Sequence, residues 1–293
     1  MNSLLFRAVA VCCLVSGSAL AADLPAPRPM PYKAPPAAVA YSWTGFYIGG
    51  NVGAAWENTD PTYSYTSIAA PAPPGFNDVF GPGGPLNVGG TSAVASAIAD
   101  GFLPTSLGSN NTSVLTAGVQ IGYNYQVNQT VWGVETDFNW LAGGVKTTGF
   151  TAPANGIITN VDTSTAGLRW LGTLRGRVGW AFDRALVYAT GGLAYGDVVA
   201  SATAMNFDGT NTDLFAGGGS NVHYGYVVGG GLEYAVTNNI SLRGEYLYYN
   251  LGTVSYSVAP INTFAAGEGL TTTGSLKVDG SIARFGINYK FGG

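Results

Sequence analysis

The chain contains one histidine, His223, and it is the first residue whose side chain could do chemistry. An imidazole moves protons near neutral pH and ligates haem iron. Acid–base or nucleophilic work needs a partner. Glu233 shares the strand face of His223 but lies ten residues along, and no serine is placed as a nucleophile beside it. Tyr63 and Tyr65 are further haem-ligand candidates. The simpler reading is a solvated rim histidine, so no catalytic residue, cofactor or metal ligand is assigned. Both cysteines, Cys12 and Cys13, fall in the first 21 residues, which leaves no thiol for chemistry beyond them.

The denser chemistry is ionic. Glu135, Asp137, Arg169, Arg175, Arg177, Glu233, Arg243, Glu245 and Arg284 stand in otherwise apolar segments. The stretch R-W-L-G-T-L-R-G-R-V-G-W at 169–180 shows the pattern. With period two, Arg169, Leu171, Thr173, Arg175 and Arg177 point one way, and Leu168, Trp170, Leu174, Val178 and Trp180 the other. In the same way Glu135 and Asp137 oppose Trp132, Val134, Phe138 and Trp140. Arg243 and Glu245 oppose Leu242, Tyr246 and Tyr248. Arg284 opposes Phe285, Ile287 and Phe291. One face of each strand is ionic and the other greasy.

The elements that carry these residues are eight strand-like segments at 43–56, 114–127, 130–141, 168–182, 185–196, 222–236, 240–250 and 280–291. Their connections alternate long and short: 57–113, 128–129, 142–167, 183–184, 197–221, 237–239 and 251–279. An even strand number, short turns on one side and long loops on the other are the pattern of an outer-membrane barrel. All nine prolines after residue 42 fall in the long connections on this reading. Trp132 and Trp140 share a face, as do Trp170 and Trp180. Eight to ten residues at ~3.3 Å, tilted ~40°, climb roughly 20–25 Å, the height of the apolar band between two aromatic girdles. Trp132, Trp140, Trp170, Trp180 and Phe291 are the expected girdle residues.

Composition agrees. Charged residues are 10% of 293, against roughly 25% in soluble domains. A net charge of −4 gives no basic footprint for nucleic acid. The expectation is an all-β, eight-stranded antiparallel transmembrane β-barrel with long extracellular loops and short periplasmic turns. An eight-stranded barrel is narrow, with its interior filled by side chains. The arginines then pair with the carboxylates inside. Lys277 and Asp279 have the parity of the lipid face and are expected beyond the membrane band, unless a bulge at Gly280 turns them in. Residues 1–21 read as a secretory signal peptide, with Arg7, an apolar run from Ala8 to Val15, and Ala19-Leu20-Ala21 before the cleavage point. Residues 22–42, with six prolines, read as a periplasmic tether, and 43–293 as the barrel. Glu57, Asp60, Asp78, Asp100, Asp162, Asp208, Asp213 and Glu268 fall in expected external loops, with Lys146 the main opposing charge. Such acids either keep loops solvated or hold cations that bridge lipopolysaccharide; plain solvation is the preferred reading. Within the first loop, Val94, Ile98 and Phe102 are spaced for a short helix over 91–103.

Three stretches carry a resemblance: S-W-T-G-F-Y-I-G-G-N-V-G near residue 42, L-R-G-R-V-G-W-A-F-D-R-A-L-V-Y-A-T-G-G-L-A-Y-G in the middle, and R-F-G-I-N-Y-K-F at the end. Over residues 43–291 the chain resembles the alphaproteobacterial outer-membrane β-barrel family, which includes small porin-like immunogenic surface proteins of rhizobia and related bacteria. The resemblance implies an integral outer-membrane barrel, lipid and lipopolysaccharide as neighbours, and delivery by the barrel-assembly machinery through the C-terminal strand. It implies a non-catalytic structural, envelope-integrity or porin-like role. A narrow solute-conducting porin, a surface ligand protein (for haem, for example) and a host-interaction protein are the alternatives. One departure stands out. Such barrels end in an aromatic residue, whereas Gly292 and Gly293 follow Phe291 here.

Overall fold

A computed structural model describes residues 41–67, 105–106, 110–151, 159–207, 212–261 and 270–292. The expected signal segment, all of the tether but residues 41 and 42, the helix over 91–103, and Asp78, Asp100, Asp208 and Glu268 lie outside these residues.

Nine strands form in chain order: β1 (Gly45–Ser67), β2 (Asn110–Val127), β3 (Thr130–Ala142), β4 (Val145–Thr151), β5 (Thr159–Phe182), β6 (Ala185–Phe207), β7 (Thr212–Ala235), β8 (Ile240–Pro260) and β9 (Leu270–Lys290). Every pairing is antiparallel. β1 pairs with both β2 and β9, and β3 with both β2 and β5, so the sheet closes on itself. Eight wall positions result, because β3 and β4 lie end to end along β5. The break falls at Gly143-Gly144, where Gly143 takes φ +80°, a conformation that glycine adopts without strain. It faces an irregularity in β5 between Leu168 and Leu171.

One end of the ring carries the short turns and both ends of the described barrel chain. Asn128 and Asp183 adopt positive φ there, as short-side-chain Asn and Asp readily do. At the other end the strands run much further than alternation alone suggests. Residues 57–67, 159–167, 197–207, 212–221, 251–260 and 270–279, expected as loop, are strand. Two prolines are therefore in strands after all, Pro61 in β1 and Pro260 at the end of β8. Pro61 is tolerated for a local reason. The Tyr63 N–H donates to Thr105 O, away from β9, so the parity-matched Pro61 lacks its N–H on the side where β2 has already ended.

The interior divides into layers. Near the short turns, Tyr41, Trp43, Val131, Ala181, Leu186, Tyr188 and Ala235 pack together. Tyr41 and Trp43 meet edge to face at 5.0 Å, and Trp43 Nε1 donates to Asp183 O at 3.1 Å. Trp43 is thus a buried floor residue, not part of an outer aromatic belt. The Lys290 ammonium lies 4.3 Å from the Tyr41 ring. Burial, followed by the field of Glu233, pushes the Tyr41 hydroxyl pKa up to about 12. Beyond the ionic layer described below, Leu168, Leu171, Val198, Val227, Leu247, Tyr249, Leu251, Val278 and Ile282 form a buried apolar layer.

Candidate functional site in the barrel lumen

Eight of the nine expected interior ions come together in one layer. Glu135 and Asp137 project from β3, Arg175 and Arg177 from β5, Glu233 from β7, Arg243 and Glu245 from β8, and Arg284 from β9, all buried. They reach each other because the register aligns them: Glu135 faces Arg175, Glu233 faces Arg243 and Glu245 faces Arg284 on neighbouring strands.

Arg175 is the hub. Its guanidinium meets Asp137 Oδ2 at 2.7 Å, Glu245 Oε1 at 3.0 Å and a Glu135 oxygen. Arg284 bridges Asp137 at 3.0 Å and donates from Nε to Glu245 Oε2 at 2.7 Å. Arg243 binds Glu135. Arg177 binds Glu233 at 2.8 Å and lies 4.2 Å from the Tyr188 ring centroid, a cation–π distance. Neutral donors complete the layer. The Tyr47 hydroxyl donates to Glu135, Tyr188 to Glu245 at 2.9 Å, Thr173 to Asp137 at 2.7 Å and Asn288 to Glu233 at 2.8 Å. Four arginines face four carboxylates, so the layer is formally neutral. Each ion has its opposite within hydrogen-bond reach, the condition under which buried charge is tolerated.

Arg169 is the exception and corrects the expectation. Leu168 and Leu171 both point inward and are fully buried, so two residues between them, Arg169 and Trp170, turn outward. This is the signature of a β-bulge, which adds one residue to one strand and reverses the parity beyond it. Arg169 is exposed and meets Asp197 on the outer surface at 3.3 Å. Leu168, expected outside, belongs to the apolar layer.

Glu57 also changes place. It sits inside β1 with 1% exposure, beside the Tyr249 hydroxyl and the Leu168 backbone, not in an external loop. Asp162 is likewise an inward strand residue. Asp60 and Asp213 are in strands β1 and β7, and Lys146 is in β4. Lys277 and Asp279 keep their outward parity, with no bulge at Gly280: even-numbered residues of β9 face in from Thr272 to Lys290. They pair at 3.3 Å, and the hydrogen bond that Lys277 donates to Asp279 holds the ammonium pKa above its usual value.

His223 faces inward on β7, and Glu233 lies ~33 Å further along the strand. No relay joins them. Glu233 is instead held by Arg177, Ser241 and Asn288. Among the described residues no three His, Cys, Asp or Glu side chains gather as metal ligands.

The outer surface is the reverse of the lumen. Trp132, Trp140, Trp180 and Phe291 are each about half exposed or more (57%, 57%, 48% and 54%). Trp170 is partly covered because its ring stacks on Phe138, 5.1 Å centroid to centroid. Near the short turns the outward aromatics are Phe46, Tyr125, Trp132, Trp180, Tyr289 and Phe291. A second set, with Trp56, Trp140, Tyr224, Tyr226 and Tyr248, lies further along the strands. Val52, Val119, Ile121, Val134, Leu174, Phe285 and Ile287 fill the outer face between them.

A closed antiparallel ring, apolar outside and ionic within, defines an outer-membrane β-barrel protein. The chain belongs to the family described as outer membrane protein beta-barrel domain, whose model matches residues 10–291. It is 33% identical over 294 residues to the 31 kDa outer-membrane immunogenic protein of Brucella melitensis biotype 1, covering 99% of this chain and 100% of that one. It is 36% identical over 137 residues to the 22 kDa outer membrane protein of Rhizobium leguminosarum bv. viciae, covering 47% and 53% of the two chains. Among solved structures, the outer membrane protein OprG from Pseudomonas aeruginosa aligns with a TM-score of 0.39 at 14% identity, over 85% of this chain and 97% of that one. The protein is thus an alphaproteobacterial-type outer-membrane β-barrel located in the outer membrane.

Proposed function

We propose that the protein is a non-catalytic structural component of the envelope whose lumen does not conduct solutes. One observation carries the reading: two consecutive interior layers are filled, one by the paired ions around Arg175 and one by the apolar side chains from Leu168 to Ile282. A solute crossing would have to separate the buried ion pairs and then the packed apolar residues. In this reading the network of Glu135, Asp137, Arg175, Arg177, Glu233, Arg243, Glu245 and Arg284 is a structural pin between β3, β5, β7, β8 and β9. Trp132, Trp140, Trp170, Trp180 and Phe291 form the aromatic girdles that fix the barrel's height in lipid.

The short turns and the segment that enters at Tyr41 are assigned to the periplasm, after a cleaved signal at 1–21 and a tether at 22–42. The extended strand ends and long connections face outside, against lipopolysaccharide. The last strand, ending at Phe291, is the element assigned to the assembly machinery. The Phe291 N–H is held by Phe46 O at 2.8 Å, so this aromatic is fixed in the ring despite the two glycines that follow.

Planar-bilayer recording tests the central claim. Folded protein, verified by heat-modifiable gel migration, is expected to give no reproducible conductance steps. Regular steps abolished by Arg175→Met would replace the structural reading with a narrow pore lined by the ionic layer.

A further inference from the structure

The barrel wall has an unpaired seam between β7 and β8. The β7–β8 ladder runs from Ala235↔Ser241 to Tyr226↔Asn250, stops, and resumes at Gly217↔Val258. Gly218–Gly225 and Leu251–Ser257 therefore face each other without ladder pairing. Both strands keep their other neighbours: β6–β7 pairing is continuous through this stretch, and β8 pairs β9 from Thr253 to Val258. The sequence contributes to the opening. Gly218 takes φ +105°, Gly219 has open space where a Cβ would stand, and Gly252 with φ +78° begins an irregularity in β8. Alternation of burial is lost here, and Gly218 to Val222 are all exposed.

A cavity of about 420 Å³ occupies the seam. Its floor is Val198, Ala200 and Val254, which belong to the buried apolar layer of the lumen. Its rim holds His223, Asn221 and Tyr256, with Ser255 and Ser257 on the outer side. The cavity thus passes from the outer surface to the apolar interior. The exposed, outward-facing Val222 also lines it. Among the described residues no Asp, Glu, Lys or Arg lines it. A charged guest would lose hydration without an opposite charge to replace it, while a hydroxyl or amide finds both donors and acceptors at the rim. The size is within the range of small-molecule sites, and the lining presents more polar than apolar surface, which suits a guest with a polar head.

We propose that the β7–β8 seam is a side-entry binding site for a small uncharged amphipathic molecule, with an apolar ring or short chain and one hydroxyl or amide head. The apolar body lies against Val198, Ala200 and Val254, and the head stays with His223, Asn221 and the unpaired strand edges. The site is a dead end, because the apolar and ionic layers lie below it. It binds its guest without passing it through.

The single histidine makes the test direct. Protein labelled with ¹³C-histidine, in nanodiscs of dimyristoyl phosphatidylcholine, gives one imidazole signal, which is titrated with 4-methylphenol. The expected result is a saturable shift, with 4-hydroxybenzoate binding about tenfold more weakly or worse because it is an anion. Val254→Trp, which fills the floor, is expected to weaken binding about tenfold, with Ala200→Leu as the second variant should the first fail to fold. A shift that grows linearly, or saturates equally in the filled variant, overturns the site and reports only partition into lipid. Amide exchange checks the seam itself. Gly218–Gly225 should exchange at least about tenfold faster than Gly229–Ala235, and equal protection would mean that the wall is closed.

Discussion

The two halves of the lumen are held by opposite means. Toward the short turns, buried ions interlock around Arg175. Toward the long connections, aliphatic and aromatic side chains pack around Leu247 and Ile282. Ion pairs fix register, because each guanidinium has few oxygens that fit it and a one-residue slip would turn it into lipid. Apolar packing fills space but tolerates irregular backbone. The breaks in the wall fall on the apolar side: the bulge at Leu168/Leu171, the glycine break at Gly143-Gly144 and the unpaired seam of β7 and β8.

Removing the hub should be the most damaging change. Arg175→Ala leaves Glu135, Asp137 and Glu245 short of a cation, and a loss of about 3–5 kcal/mol is expected, read by urea unfolding of the folded gel band. A loss below ~1 kcal/mol would mean that the layer is wet and loosely paired. Leu247→Ala or Ile282→Ala in the apolar half should cost about 2–5 kcal/mol through cavity formation. If both prove nearly neutral, that half collapses easily and the contrast weakens. Val134→Arg, on the outer face between the girdles, should cost about 2–4 kcal/mol in a bilayer. The same variant without effect would argue that this face does not meet lipid.

Glu57→Leu should leave stability unchanged or raise it by about 1–2 kcal/mol. Glu57 is a buried carboxylate of the apolar half, with no arginine or lysine paired to it among the described residues. A loss would show that the carboxyl has a partner essential to that layer. Smallest of all, Arg169→Ala should change stability by less than about 1 kcal/mol, and less still at high salt, because its partner Asp197 is met at the surface. An effect as large as that of Arg175→Ala would return Arg169 to the lumen.

The same contrast explains what was legible in the sequence. Across β3, β7, β8 and β9 strict alternation puts Glu135, Asp137, Glu233, Arg243, Glu245 and Arg284 on one face, the face that is buried in the structure, since a charge inside a membrane band has only one acceptable side. The reading fails at Arg169, where one extra residue reverses parity and leaves no mark in composition. It also fails at Glu57, Asp60 and Asp162. There the strands continue past the membrane with small and hydroxylated residues such as T-S-T-A on both faces, so period two fades while the ladder goes on. Pro61 misleads similarly, because the ending of β2 removes the objection to proline in a strand. The seam could have been suspected from the glycines at 217–219, but glycine is frequent throughout the chain and is not diagnostic there.

Tyr47 pairs with Lys290, and the Lys290 ammonium reaches the carbonyl of Ser42 across 248 positions of chain. The ring is therefore closed by β1 on β9, the first and last of the described strands, and no closed form exists before β9 has been made. Until then two long strand margins stay bare and ready to pair with whatever neighbour they meet. A copy of this chain whose β1 and β9 have not yet met is sticky by construction.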